Sequence, residues 1–192
     1  MPVATRLAEA VAVENHTMKL AFSGMLVALS TALMFLTNLF PVASYTLPAI
    51  AGALWILSVI ELGKGWAWPS FVASSLLSFL VVADKEAVAM FVLFFGYYPI
   101  LKAYFEQFSR RFLTWLAKYL LFNVAMIVEF ILSIHLLGVP EESFTVFGVY
   151  LPWVFLLIGN VAFLLYDYCL SCLVVVYCQR MHKNVQRWLH LK

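Results

Sequence analysis

Charge is what this sequence has least of. Twelve Lys and Arg and ten Asp and Glu make up 11% of its 192 residues, against 65% hydrophobic, for a mean hydropathy of +0.95. A soluble domain is about half apolar and a quarter charged, so a water-soluble globule is excluded: so few charges cannot cover that much apolar surface. The net charge of +2 is too small to call for nucleic acid, and the basic residues flank hydrophobic runs instead of forming a patch. Cysteine is scarce: Cys169, Cys172 and Cys178 all fall in the last apolar stretch, which is no disulfide framework. The Cys169–Cys172 spacing is solitary and deep in an apolar segment, and carries no metal or redox expectation. Eight glycines form no phosphate-cradling loop. No GxSG-type intramembrane protease motif occurs. Glu141-Glu142 resembles the start of the EExxxR motif of membrane CAAX-type proteases, but position 146 is Val146. The opening residues mix Arg6, Glu9, Glu14, His16 and Lys19 without the apolar run or cleavage site of a signal peptide. The first hydrophobic segment is therefore expected to stay as a helix. With no catalytic cluster and no cofactor motif, a non-enzymatic role is expected.

What is present is a series of long apolar runs. A spanning helix needs about 20 mainly apolar residues. Runs at 20–40, 48–62, 68–83, 87–105, 112–137 and 152–178 predict six transmembrane helices, an all-α integral membrane bundle. Pro48 and Pro152 suit first-turn positions, and Gly96-Tyr97-Tyr98-Pro99 predicts a kink in helix 4 that can expose carbonyls to a ligand. The second and third runs are short, so five spans must be weighed, and charge decides against them. Six spans put Arg6, Lys19, Lys64, Lys102, Arg110, Arg111, Lys118, Arg180, Lys183, Arg187 and Lys192 on one side and Lys85 on the other. That asymmetry places both termini in the cytoplasm, N-in and C-in. The chain divides into a cytoplasmic segment 1–18, a transmembrane domain 19–179 and a basic tail 180–192, which either lies on the anionic inner leaflet or is simply solvated.

Polar groups inside a bilayer are expensive and therefore informative. In helix 6, Trp153, Asn160 and Asp167 recur every seven residues and share one face, which Ser171 extends. At 1.5 Å per residue, Asp167 lies about 21 Å below Trp153, in the inner half, where a cation such as Lys118 is a ready partner. Glu129 lies about 12 Å below the outer end of helix 5, with Ser133 one turn on and His135 offset. The functional expectation is an outward-facing pocket of Glu129, Ser133, His135, Trp153 and Asn160. The bland alternative is that Glu129 and Asp167 only bond neighbouring helices. In helix 1, Ala21, Gly24, Ala28 and Ala32 form a narrow small-residue face, suited to close helix approach or to ordinary packing. Ser70, Ser74 and Ser78 form a similar stripe on helix 3, where internal packing is the better reading.

Together, the six helices, the cytoplasmic ends, the run MLVALSTALMFL with Ala28-x-x-x-Ala32, the proline-initiated LPAIAGAL and the Gly63-Lys64-Gly65 turn are similar to the substrate-binding S components of energy-coupling-factor vitamin transporters. The sequence likeness covers about the first 65 residues and is nearest the riboflavin-type members. The inner turn lacks the Gly-Pro pair common in that family, and no ligand signature of its riboflavin, thiamine, biotin or folate members is present. The resemblance implies a bacterial plasma-membrane protein taking up a small water-soluble micronutrient. Ala28 and Ala32 would contact a transmembrane coupling protein driven by two cytoplasmic ATPases. The connection at 37–47 would be a lid over the outer site, adding Asn38 and Tyr45 to the candidate ligand contacts. A structural scaffold of the cell envelope is the alternative, and an enzyme acting on lipid comes third.

Overall fold

The computed structural model describes residues 3–108, 110–135, 145–146, 149–150, 152–180 and 185. Among them six helical rods form an all-α bundle, with one two-residue antiparallel hairpin, Thr145–Val146 with Val149–Tyr150. The first rod, α1 (Val3–Phe35), starts well before the expected residue 20. Residues 3–19 are rich in Ala and Val and hold no glycine or proline, so no helix breaker stops the helix from extending past the apolar run. It ends in a tight turn, Leu36–Asn38, in which the Thr37 hydroxyl donates to the Met34 carbonyl at 2.8 Å.

The second rod is broken at Leu54 into α2 (Thr46–Ala53), with Pro48 in its first turn, and α3 (Trp55–Glu61). Gly63, at φ 87°, makes the reversal that a side chain would resist. From it α4 (Lys64–Val81) starts earlier than expected and carries Pro69 inside. Asp84 caps the next helix by accepting from the Ala87 N–H at 3.0 Å. That rod is α5 (Lys85–Met90), a π-turn (Phe91–Phe95) closed by Gly96 N–H to the Phe91 carbonyl, and α6 (Tyr98–Phe105). The kink expected at Gly96–Pro99 is there, but its carbonyl meets a helix. Pro99 has no N–H for the Phe95 carbonyl four residues back, and α2 packs against it so closely that a Cβ on Gly52 would stand 2.1 Å from that oxygen. The last rods are α7 (Arg111–His135) and α8 (Pro152–Arg180). The expected end of helix 5 near residue 137, Glu141-Glu142 and nearly all of the tail lie outside the described residues.

Contacts between element ends show that successive rods alternate in direction. At one end Asn38 accepts from the N–H groups of Ala83 and Asp84, and Ser44 donates to Asp84 at 2.6 Å. At the other, His16 meets Trp66, Lys64 bonds the Ala103 carbonyl, and Tyr177 donates to Glu61 at 2.6 Å. The first end is net acidic, with Asp84 and Glu86 against Lys85. The second gathers Lys64, Lys102, Arg111, Lys118 and Arg180. Inside, Ser70, Ser74 and Ser78 are buried on α4, and Ser74 donates to Ser30 of α1 at 3.0 Å, so this stripe packs internally.

The outside is oily. Leu80, Phe112, Leu120, Leu157 and Leu165 are each well over half exposed, the opposite of a water-facing surface. Among the described residues four helices, His16–Asn38, Lys85–Phe105, Arg111–His135 and Trp153–Arg180, are long and apolar enough to cross a membrane, and Thr46–Glu61 is a shorter apolar helix.

Candidate functional site

The chemistry-bearing residues gather along the antiparallel seam between α7 and α8. From the basic end upward, Lys118 meets Asp167, the Phe122 and Phe163 rings stack with centroids 4.7 Å apart, and Asn123 exchanges amide hydrogen bonds with Asn160 at 3.0 and 3.1 Å. Past the amide pair lies a cavity of about 370 Å³, lined from α7 by Met126, Glu129 and Phe130 and from α8 by Trp153, Leu156 and Gly159.

Of the residues expected to form an outward-facing pocket, two line this cavity: Glu129 and Trp153. Ser133 is buried one turn above and donates to Glu129 at 2.7 Å. His135 is exposed, its Nδ1 3.1 Å from the Ile131 carbonyl. Asn160 is turned to Asn123 and the Leu156 carbonyl. Asn38 holds the start of the α4–α5 connection, and Tyr45 donates a hydrogen bond to Glu86. Burial, then that bond to Glu86, pushes the Tyr45 phenol well above the usual tyrosine range. Asn38 and Tyr45 thus strap the connection after α1 onto the start of α5. Ala28 and Ala32 lie exposed on the outer face of α1, with Ser23, Leu26, Ser30 and Met34 turned inward.

The second constellation sits at the basic end. Asp167 accepts from Lys102 at 2.5 Å, from Lys118 at 3.0 and 3.1 Å, and from the Tyr98 hydroxyl at 2.6 Å. Lys102 also reaches Ser171 at 2.9 Å. Glu106 stands 2.8 Å from Lys102 and 3.0 Å from Lys118. Three helices are tied here by two cations and two carboxylates, the arrangement that lets charge sit in an apolar setting. Lys118 opposite Asp167 is legible from the sequence. Lys102 is missed because a lysine near a helix end reads as an interfacial charge. The signal for it is the Tyr98, Lys102, Glu106 recurrence every four residues, one face of one helix. Asn123 is missed too, although an amide inside an apolar run is itself a sign of a partner.

Helical bundle, apolar exterior and ionised groups confined to one seam and the two ends define a helical membrane protein. No family model, curated protein or solved structure matches the chain. Among the described residues no group of three His, Cys, Asp or Glu side chains is placed to hold a metal.

Proposed function

We propose that the chain crosses the bacterial plasma membrane six times, basic end and both termini in the cytoplasm, as the substrate-binding subunit of an energy-coupling-factor type uptake transporter. Its cargo is a small water-soluble micronutrient. The observation that carries this reading is the orientation of α1. Ser23, Leu26, Ser30 and Met34 turn inward, and Ala28 and Ala32 stay on the outer face, between the exposed Met25, Leu29 and Phe35. A small-residue face suits close approach by another protein's helix, here a coupling protein worked by two cytoplasmic ATPases. The subunit has no catalytic activity of its own. Cargo would enter from the acidic end, beneath the strap held by Asn38 and Tyr45, and meet Glu129 and Trp153 in the cavity.

One observation favours the envelope-scaffold alternative: the middle of the bundle is filled by Phe94, Tyr98, Phe122 and Phe163, ring against ring. Affinity purification in mild detergent, followed by mass spectrometry of bound proteins and small molecules, separates the two. Transport predicts a coupling protein, two ATPases and a retained vitamin-like compound. It also predicts that Ala28→Trp and Ala32→Trp release the module without unfolding the chain. Envelope-assembly proteins with no small molecule, and no effect of either tryptophan, would replace the transport reading with the scaffold.

A further inference from the structure

Lys102 and Lys118 are almost wholly withdrawn from solvent, with 4% of each side chain exposed, and both converge on Asp167, 5% exposed. One buried carboxylate balances one of them. The second counter-ion is Glu106, whose side chain is 49% exposed and stands just past the end of α6. At that spot opens a cavity of about 470 Å³, lined among others by Glu106, Arg111, Trp115, Lys118 and Asp167. Arg111, Trp115 and Lys118 share one face of the first two turns of α7. Arg111 is exposed and makes no ion pair with a described residue. The positive end of the α7 dipole lies at the same mouth.

The geometry points to a binding site for a phosphate-class oxyanion in this cavity, held by Lys102, Lys118 and Arg111 in the place now taken by the Glu106 carboxylate. The charges favour the exchange. Three cations face two carboxylates, an excess of one; with Glu106 swung out the excess is two, which a phosphate dianion cancels. Glu106 is the carboxylate more readily moved, being half-exposed, provided that the incoming oxyanion replaces it as counter-ion to the buried lysines. Asp167 stays, being buried and held by Tyr98 as well. Lysines bind phosphate as point charges and arginine as a fork, and Trp115 and Phe108 form an apolar wall beside them. The oxyanion's source is either free phosphate, whose dianion cancels both charges, or the phosphodiester headgroup of an anionic phospholipid, a monoanion that cancels one. The site lies at the end opposite Glu129 and does not depend on the transport reading.

The test uses the intact chain. In uncharged detergent, inorganic phosphate is titrated against chloride at equal ionic strength while the thermal midpoint is followed. In parallel, the midpoint is compared in nanodiscs of phosphatidylcholine alone and mixed with phosphatidylglycerol. The site predicts saturable stabilisation by at least one probe: inorganic phosphate assigns a free anion, phosphatidylglycerol alone a headgroup. Arg111→Gln should weaken the responding probe about tenfold, the loss of one charge-assisted contact, and Glu106→Gln should strengthen it by a similar factor. No response of the wild type to either probe overturns the proposal. So does a response that Arg111→Gln leaves unchanged, which decides the matter even if Glu106→Gln fails to fold.

Discussion

Lys118 of α7 and Asp167 of α8 meet with the lysine Nζ 3.0 and 3.1 Å from the two carboxylate oxygens. The same carboxylate takes Lys102 and Tyr98, so a single side chain fastens α6, α7 and α8 at the basic end.

Replacing Asp167 by Asn should therefore be severe. It leaves two buried lysines with Glu106 as their anion, and breaking a buried pair from one side costs about 3–5 kcal/mol. The expected outcome is a large drop in the thermal midpoint in detergent. Asp167→Asn with wild-type stability would show that the lysines do not depend on this carboxylate.

The Asn123–Asn160 pair is a milder clasp. Asn160→Leu should lower stability by about 0.6–1.7 kcal/mol, the range of interhelical hydrogen bonds in membranes. Adding Asn123→Leu should restore part of that, because the orphaned amide is removed along with its partner. Denaturation of the two single variants and the double variant gives the coupling.

Acid should loosen the basic end. Burial works to raise the Glu106 pKa, but the hydrogen bonds and charges of Lys102 and Lys118 outweigh it and hold the carboxyl below its ordinary value of 4.5. Its stabilising contribution is present above that value and is lost as pH falls through the lowered one. Thermal midpoints between pH 7 and pH 3 should fall more for the wild type than for Glu106→Gln. Parallel curves would mean that Glu106 does not contribute to this acid sensitivity.

Close approach at the kink is testable by one methyl group. Gly52→Ala puts a Cβ where the Phe95 carbonyl already is, and overpacking of this kind costs about 1–3 kcal/mol. Alanine ordinarily stabilises a helix relative to glycine, so a lower thermal midpoint would report the contact, and a higher one would show that α2 can move aside.

Much of the architecture was legible in the residues. The rods, the proline starts at Pro48 and Pro152 and the kink before Pro99 follow from runs, breakers and caps, all properties of a few neighbouring residues, whereas α1 and α4 begin ahead of their apolar runs. The α8 stripe was legible in part: Asp167 faces inward and Asn160 is half-buried, but Trp153 stands at the lip, 74% exposed. A seven-residue spacing falls a little short of two full turns, so three such residues drift around the helix.

By itself the sequence determined an apolar, multi-helix chain with basic residues collected at one end, because hydropathy, helix length and charge placement are local and survive any arrangement of the helices. Only the tertiary structure decided which polar groups meet. Asp167 found Lys102, 65 residues away, as well as Lys118, and Asn160 found Asn123. Those pairings depend on the rotation and register of one helix against another. Contacts such as Gly52 on Phe95 set that register, and no spacing within a single helix contains it. The cavity beside Glu129 has the same origin, since residues of both α7 and α8 line it.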